Sequence, residues 1–235
     1  MKPIIGIVEW PYTDKDGDLI YEVVNQIVEK ISKYGGIPVG IFPTQIENFQ
    51  NKKISEINAL TITEKEDLNQ TLKMCDAIIK PGAIRIYGYE NYIYDYAFQK
   101  DVPYIGICAG MQMMANYNIE NARNERNEDK GVIHQSKEEY AHEIRILKDT
   151  LLYSILKQEE ILVNSRHNYH IVDSGIHKTS AYSPDGIIEA IENPIKNFQI
   201  GLQWHPENLN DENTEKIFKR FIDEANKYSK GKRMK

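Results

Sequence analysis

The sequence predicts an α/β fold on a mostly parallel sheet, and three observations carry that prediction. Short apolar, β-leaning runs alternate with longer amphipathic ones through the first half of the chain. Several of the apolar runs are continuous, as strands covered on both faces are. The 235 residues suffice for one domain that buries about three quarters of its unfolded surface, without a disulfide or metal staple.

Taken in order, IIGIV (4–8) reads as a strand, followed by a loop with Asp14, Asp16 and Gly17. Residues 19–36 place Ile20, Val23, Val24, Ile27, Val28 and Ile31 on one helical face, closed by Gly35-Gly36. IPVGIF (37–42) is a second strand. A helix over 63–75 opens on Thr63 with Glu66 three residues later, a capping-box pattern. AIIKPG (77–82), a Tyr-rich helix (90–100) and the strand PYIGIC (103–108) follow. Residues 116–131 turn polar and read as a solvated loop or helix face. Short β runs come next at 142–147, 161–166, 178–183, 187–192 and 198–204. Ser183-Pro184-Asp185-Gly186 has the residue pattern of a type I turn. A helix over 215–230 closes the chain. No linker interrupts it, so residues 1–230 read as one domain and 231–235 as a frayed basic tail.

Hydrophobic content of 41%, charged content of 27% and a net charge of −6 are those of a soluble globular protein and argue against general nucleic-acid binding. Two cysteines, Cys75 and Cys108, provide no disulfide framework and fit a reducing compartment. The N-terminal apolar stretch is too short for a signal peptide, and no run reaches membrane-spanning length. Cytoplasm is the expected location.

Chemistry concentrates where strand changes to helix without a spacer. Gly106-Ile107-Cys108-Ala109-Gly110 has the form G-x-C-x-G, the thiol counterpart of the G-x-S-x-G elbow. Only residues without side chains fit beside so tight a turn. A cysteine there faces helix N–H groups that favour thiolate and can serve an adjacent oxyanion. The pentapeptide alone also fits a buried strand end whose glycines merely permit close packing. A thiol of this kind needs a base and a group to orient it. His205 ends an apolar β run, Pro206 stops the ladder, and Glu207 lies two residues on. The proline-fixed corner can bring Glu207 to the far nitrogen of the His205 ring.

GICAG at 106–110, VNSRH at 163–167, DGIIEAIE at 185–192 and GLQWHPE at 201–207 occur in an order and spacing that resembles the class I glutamine amidotransferase superfamily. The resemblance is closer to its gamma-glutamyl-gamma-aminobutyrate hydrolase branch, the peptidase-type gamma-glutamyl hydrolases, and covers nearly the whole chain. It implies a flavodoxin-like fold with a smaller β-rich extension and a triad of Cys108, His205 and Glu207. The implied reaction is cleavage of the γ-glutamyl amide of a small amine through a γ-glutamyl thioester. Gly82, Ala83 and Ala109 would supply the oxyanion hole. Gln112, Asn164, Ser165, Arg166 and His167 would lie toward substrate.

The chain departs from the family pattern on the substrate side. The third-strand turn reads Pro-Gly-Ala, with Ala83 where the family usually has glycine and no aspartate soon after. Asn168 and Tyr169 replace a His-Gln pair, Ala109 stands where larger residues are common, and residues 116–131 replace a Gly-rich segment. No cofactor is expected, and the resemblance implies none. Expected partners are a small γ-glutamyl amide or glutamine and a second copy of the chain, with neither nucleic acid nor membrane. In the alternative role, a glutaminase subunit, a separate synthase would receive the ammonia. A non-catalytic module that retains the fold is the third reading.

Other histidines attract less. His167 and His170 are three apart, but no cysteine or clustered carboxylate completes a metal set, so no metal is expected. His134, His142 and His177 read as surface or loop residues. The Asp14-Asp16-Asp18 run lacks the glutamate of a calcium loop, with Asn25 at that position.

Overall fold

The structure, a computed structural model, describes residues 1–45, 49, 52–119 and 124–233. The elements in chain order begin with β1 (Ile4–Val8), β2 (Trp10–Thr13), β3 (Leu19–Glu22), α1 (Asn25–Lys33) and β4 (Ile37–Ile41). Next come α2 (Ile62–Met74), β5 (Ala77–Lys80), α3 (Gly88–Lys100), β6 (Tyr104–Ile107) and α4 (Ala109–Ala115). The second half holds β7 (Asn124–Arg126), β8 (His142–Ile146), α5 (Leu151–Leu156), β9 (Glu160–Val163) and β10 (Tyr169–Ile171). It ends with β11 (Lys178–Tyr182), β12 (Ile188–Glu192), β13 (Gln199–Leu202) and α6 (Glu212–Arg233).

A nine-stranded sheet in the order β4-β1-β5-β6-β13-β12-β11-β8-β9 forms the frame. From β4 to β13 every neighbouring pair is parallel. Beyond β13 the same sheet continues antiparallel. The β-rich extension expected from the sequence is therefore a continuation of the central sheet.

Side-chain alternation splits the continuous apolar strands between two cores. Ile5, Ile7, Ile79, Ile105 and Ile107 pack with Ile27 and Ile31 of α1 and with Phe218, Phe221 and Ile222 of α6. On the other face Val8, Ile78 and Tyr104 meet Leu68 and Leu72 of α2, Tyr89, Ile93 and Tyr94 of α3, and Met111, Met113 and Met114 of α4. A covered parallel sheet requires burial of both kinds.

The structure corrects several sequence-based expectations. Residues 19–22 are strand rather than the start of a helix. They pair with Trp10–Thr13 in a hairpin, closed where Asp14 Oδ1 accepts the amides of Asp16 and Asp18 at 3.0 and 2.9 Å. That use of Asp14 also accounts for the acidic run without a cation. The α2 capping box is Thr61 and Glu64, two residues before the expected pair; T-x-x-E occurs twice in register there. The closing helix extends through the start of the expected tail to Arg233, while residues 234 and 235 lie outside the described residues, as do 120–123 of the polar stretch. His134, His142 and His177 are buried, not superficial. His177 hydrogen-bonds Tyr94 Oη at 2.6 Å, and burial pushes its pKa down to about 4. The 183–186 turn is present, with the Gly186 amide donating to the Ser183 carbonyl at 3.0 Å.

Below the β5 turn lies an ion pair with no solvent access. Lys80 Nζ stands 2.8 Å from Glu90 Oε1 and donates to the Pro81 carbonyl at 3.0 Å. Glu90 also caps α3 through the Tyr87 amide. Removing one partner strands the other as a buried charge. Glu90→Ala is expected to lower unfolding free energy by about 3–5 kcal/mol, read by urea denaturation.

Candidate active site

Three adjacent parallel strands, β5, β6 and β13, end side by side, and each delivers one part of the site. Past Lys80 the chain turns through Pro81-Gly82-Ala83; past Ile107 stands Cys108; past Leu202 the chain leads to His205. Carboxyl ends of parallel strands are where such sheets collect chemistry, because helix N-termini face the same edge.

Cys108 has φ 52° and ψ −107°, and α4 begins at the next residue. For a residue with a side chain this backbone is strained, by about 1–3 kcal/mol, and it persists only where surrounding structure holds it. The Cys108 amide donates to the Leu202 carbonyl at 2.7 Å, and its carbonyl accepts from the Gln112 amide at 3.0 Å. Both glycines of G-x-C-x-G are needed for close approach. A Cβ on Gly106 would fall 2.6 Å from the Gly110 backbone, and one on Gly110 would fall 2.4 Å from the Lys80 carbonyl oxygen.

His205 is held at both ends. Asn164 grips its backbone, accepting from the His205 amide at 2.8 Å and donating to its carbonyl at 2.8 Å. The ring Nδ1 lies 2.7 Å from Glu207 Oε1, and the ring and the Cys108 side chain both lie against Gly82. Pro206 opens a short 3₁₀ turn, Pro206–Asn208, that swings Glu207 back under the ring. Burial pulls the His205 pKa down, but the Glu207 carboxylate and the Cys108 sulfur outweigh it and push the value up to about 10. The balance favours the charged form of the ring.

Gly82 closes the site opposite. A Cβ there would lie 2.9 Å from His205 Cε1 and 3.4 Å from Cys108 Cβ. Gly82→Ala should therefore displace the imidazole and lower kcat by about a hundredfold while the far-UV circular dichroism spectrum is retained. Among the described residues, positive φ outside glycine occurs at Asp101, Cys108, Asn118, Asp149 and Lys157. Ala83 is not one of them, so its backbone tolerates alanine in place of the family's glycine. Ala109 is the first residue of α4, where a backbone N–H has no partner within the helix.

The residues expected near substrate fall in different places. Gln112 is buried, donating to the Tyr169 carbonyl at 2.8 Å and Gln203 Oε1 at 3.2 Å, and accepting from Asn124 Nδ2 at 3.0 Å. Ser165 Oγ donates to the His134 carbonyl at 2.9 Å. Asn164 grips the His205 backbone as described, Arg166 is exposed, and His167 is buried among other histidines. Asn164 thus fixes the His205 backbone, a contact that its position in the motif does not reveal.

A cavity of about 390 Å³ opens beside the β5 turn, lined by Trp10, Tyr12, Lys52, Lys53, Ile84 and Arg85 among others. Of its basic side chains, Arg85 lies two residues past Ala83, and the lysines come from the 52–53 segment.

Residues 3–207 match the peptidase C26 family. The chain belongs to that family. Among the curated proteins similar to this peptidase C26 chain, protein NtpR of Enterococcus hirae is 26% identical over 95% of this chain and 100% of its own length. CTP synthase of Latilactobacillus sakei is 32% identical over 72% of this chain and 38% of its own. CTP synthase of Staphylococcus carnosus is 29% identical over 94% of this chain. This chain spans less than half the length of those synthases. The glutaminase domain of Trypanosoma brucei CTPS, solved with bound acivicin, superposes with a TM-score of 0.67 at 17% identity, covering 96% of this chain and 94% of that one. PurLQS of Thermotoga maritima superposes with a TM-score of 0.62 at 14% identity, covering 95% and 99%. The α/β fold of this peptidase C26 chain is thus shared with class I glutamine amidotransferases. Among its described residues no helix is long and apolar enough to cross a membrane, and both cysteines are free.

Proposed function

We propose that this chain hydrolyses the γ-glutamyl amide bond of a small γ-glutamyl-amine, with Cys108 as nucleophile, His205 as acid and base, and Glu207 orienting the imidazole. One observation carries the reading: Cys108 is held at a strained elbow against His205, whose other nitrogen is fixed by Glu207 at 2.7 Å. In the proposed reaction, the Cys108 thiolate attacks the γ-carbonyl, and the resulting oxyanion is held by backbone N–H groups of Ala109 and the Gly82-Ala83 turn. As the C–N bond breaks, the His205 imidazolium gives its proton to the departing amine. The neutral imidazole then takes a proton from water, which cleaves the γ-glutamyl thioester and restores the thiol site.

The cavity with Lys52, Lys53 and Arg85 supports an amine that bears its own carboxylate. Incubating the purified chain with a panel of γ-glutamyl amides and following release of glutamate by mass spectrometry tests the reading. Preferred cleavage of amides of ω-amino acids over uncharged amines is the expected result. No turnover of any γ-glutamyl amide, glutamine included, would defeat it.

The CTP synthase relatives support a second reading with the same chemistry, in which glutamine is the substrate and the ammonia goes to a separate synthase. Glutaminase activity that appears only when a co-purifying synthase is added would select it. Full activity of the chain alone would remove it.

A further inference from the structure

Four side chains that take no part in the Cys108 site converge inside the antiparallel half of the molecule. His142 opens β8, Glu189 lies within β12, His167 belongs to the strap between β9 and β10, and His134 sits in the loop before β8. All four are buried. One ring nitrogen from each histidine and one carboxylate oxygen all lie within 4.8 Å of one another. Glu189 Oε1 is 3.4 Å from His134 Nδ1, 3.6 Å from His142 Nε2 and 3.6 Å from His167 Nε2.

The outer nitrogen of each ring already has an acceptor. His134 Nε2 faces Asp185 Oδ2 at 3.0 Å, His142 Nδ1 faces the Glu143 carbonyl at 3.1 Å, and His167 Nδ1 faces the Tyr169 carbonyl at 3.1 Å. With each ring's proton on its outer nitrogen the inner nitrogens present lone pairs; for His167 the Tyr169 carbonyl accepts at 3.1 Å, while Asn127 Nδ2 stands 3.3 Å from the same Nδ1. Three lone pairs then surround a carboxylate. None of the inner nitrogens, and neither Glu189 oxygen, has a hydrogen-bond partner among the described residues. Buried polar atoms rarely stay unmatched, and one shared cation would match this whole set at once.

We propose that His134, His142, His167 and Glu189 bind a divalent transition-metal ion, zinc or one of similar preference. Ligand bonds of about 2.1 Å in a tetrahedron set neighbouring ligand atoms about 3.4 Å apart, which the three distances to Glu189 approach. Imidazole nitrogen suits zinc, nickel, iron and copper, whereas calcium and magnesium prefer all-oxygen sets. Asp185 behind His134 supplies a second negative charge and fixes the ring, as outer carboxylates do for metal-bound histidine. Ser183 Oγ in turn donates to Asp185 Oδ1 at 2.6 Å. Four protein ligands in a buried setting make the site structural, with no open position for substrate.

The ion would tie the strap to the sheet. The His167 amide and Ser165 Oγ both donate to the His134 carbonyl at 2.9 Å, and the Gln203 amide donates to the Glu189 carbonyl at 2.8 Å. The same strap carries Asn164, which grips His205. The site is therefore a brace beneath the catalytic base, and it stands whether or not the Cys108 reading holds.

The wild-type chain and its Cys108→Ala variant, expressed in zinc-supplemented medium and dialysed, should each carry about one equivalent of metal by mass spectrometry. Apo protein should take up one equivalent of cobalt with the intense visible absorption of tetrahedral coordination, and a strong chelator should lower Tm. His142→Ala and Glu189→Gln should lose the metal, while His170→Ala, on β10 of the small two-stranded sheet, should keep it. A folded wild-type chain that takes up neither zinc nor cobalt, with a Tm insensitive to chelator, would show the cluster to be a proton-bridged network and overturn the proposal. Stoichiometric metal retained by both cluster variants would overturn it equally. If those variants fail to fold, the wild-type uptake decides alone.

Discussion

Cys108→Ala is expected to reduce kcat for γ-glutamyl amide hydrolysis by about 10⁵-fold or more, the scale on which removal of an enzyme nucleophile is felt. The elbow geometry makes the effect local. Alanine occupies the same strained backbone with a smaller side chain, and the amide and carbonyl bonds that pin position 108 do not involve the sulfur. The variant should therefore keep the wild-type circular dichroism spectrum and, with an intact binding cavity, similar substrate affinity by calorimetry. A γ-glutamyl electrophile should add one mass increment to the wild type and none to the variant. Variant turnover within tenfold of wild type would exclude a thiol mechanism.

Glu207→Gln is the second large effect. The amide retains an acceptor for His205 Nδ1 but removes the charge that outweighs burial in raising the imidazole pKa. kcat should fall by about 10³–10⁴-fold, as when a triad carboxylate becomes an amide. The stability consequence has a definite sign. Because the folded pKa of about 10 lies above the ordinary histidine value, the protonated ring contributes stability that is complete below about pH 6.5 and disappears as pH rises through about 10. The Tm gap between wild type and variant should thus be widest near pH 6 and shrink toward pH 10. A gap that grows with pH would mean that His205 is neutral in the folded state.

Much of this was legible in the chain itself. Continuous apolar runs such as IIGIV and AIIK announce buried parallel strands because little else hides both faces of a strand. The G-x-C-x-G and His-Pro-Glu patterns brought residues to the same sheet edge because each ends a strand, and β5, β6 and β13 are neighbours. The hairpin at 10–22 was not legible: Ile20, Val23 and Ile27 fit a helical period, and only pairing with Trp10–Thr13 overrides it. The histidine cluster was hidden for a related reason. His134, His142, His167 and Glu189 have no common spacing, and only the antiparallel strands bring them together. One signal was present, a glutamate in the middle of the apolar run IIEAIE, whose strand is buried along its whole length.

β13 is the seam of the sheet, paired parallel to β6 on one side and antiparallel to β12 on the other. The sulfur therefore hangs from the parallel half, and the imidazole from the boundary strand itself, held there by Asn164 of the far half. Loosening the far half by temperature, denaturant or a distant substitution would uncouple proton delivery before it disturbed the thiol. Alkylation of Cys108 and turnover would then fail at different points along a denaturant series, and the interval between them would measure how firmly the two halves are joined.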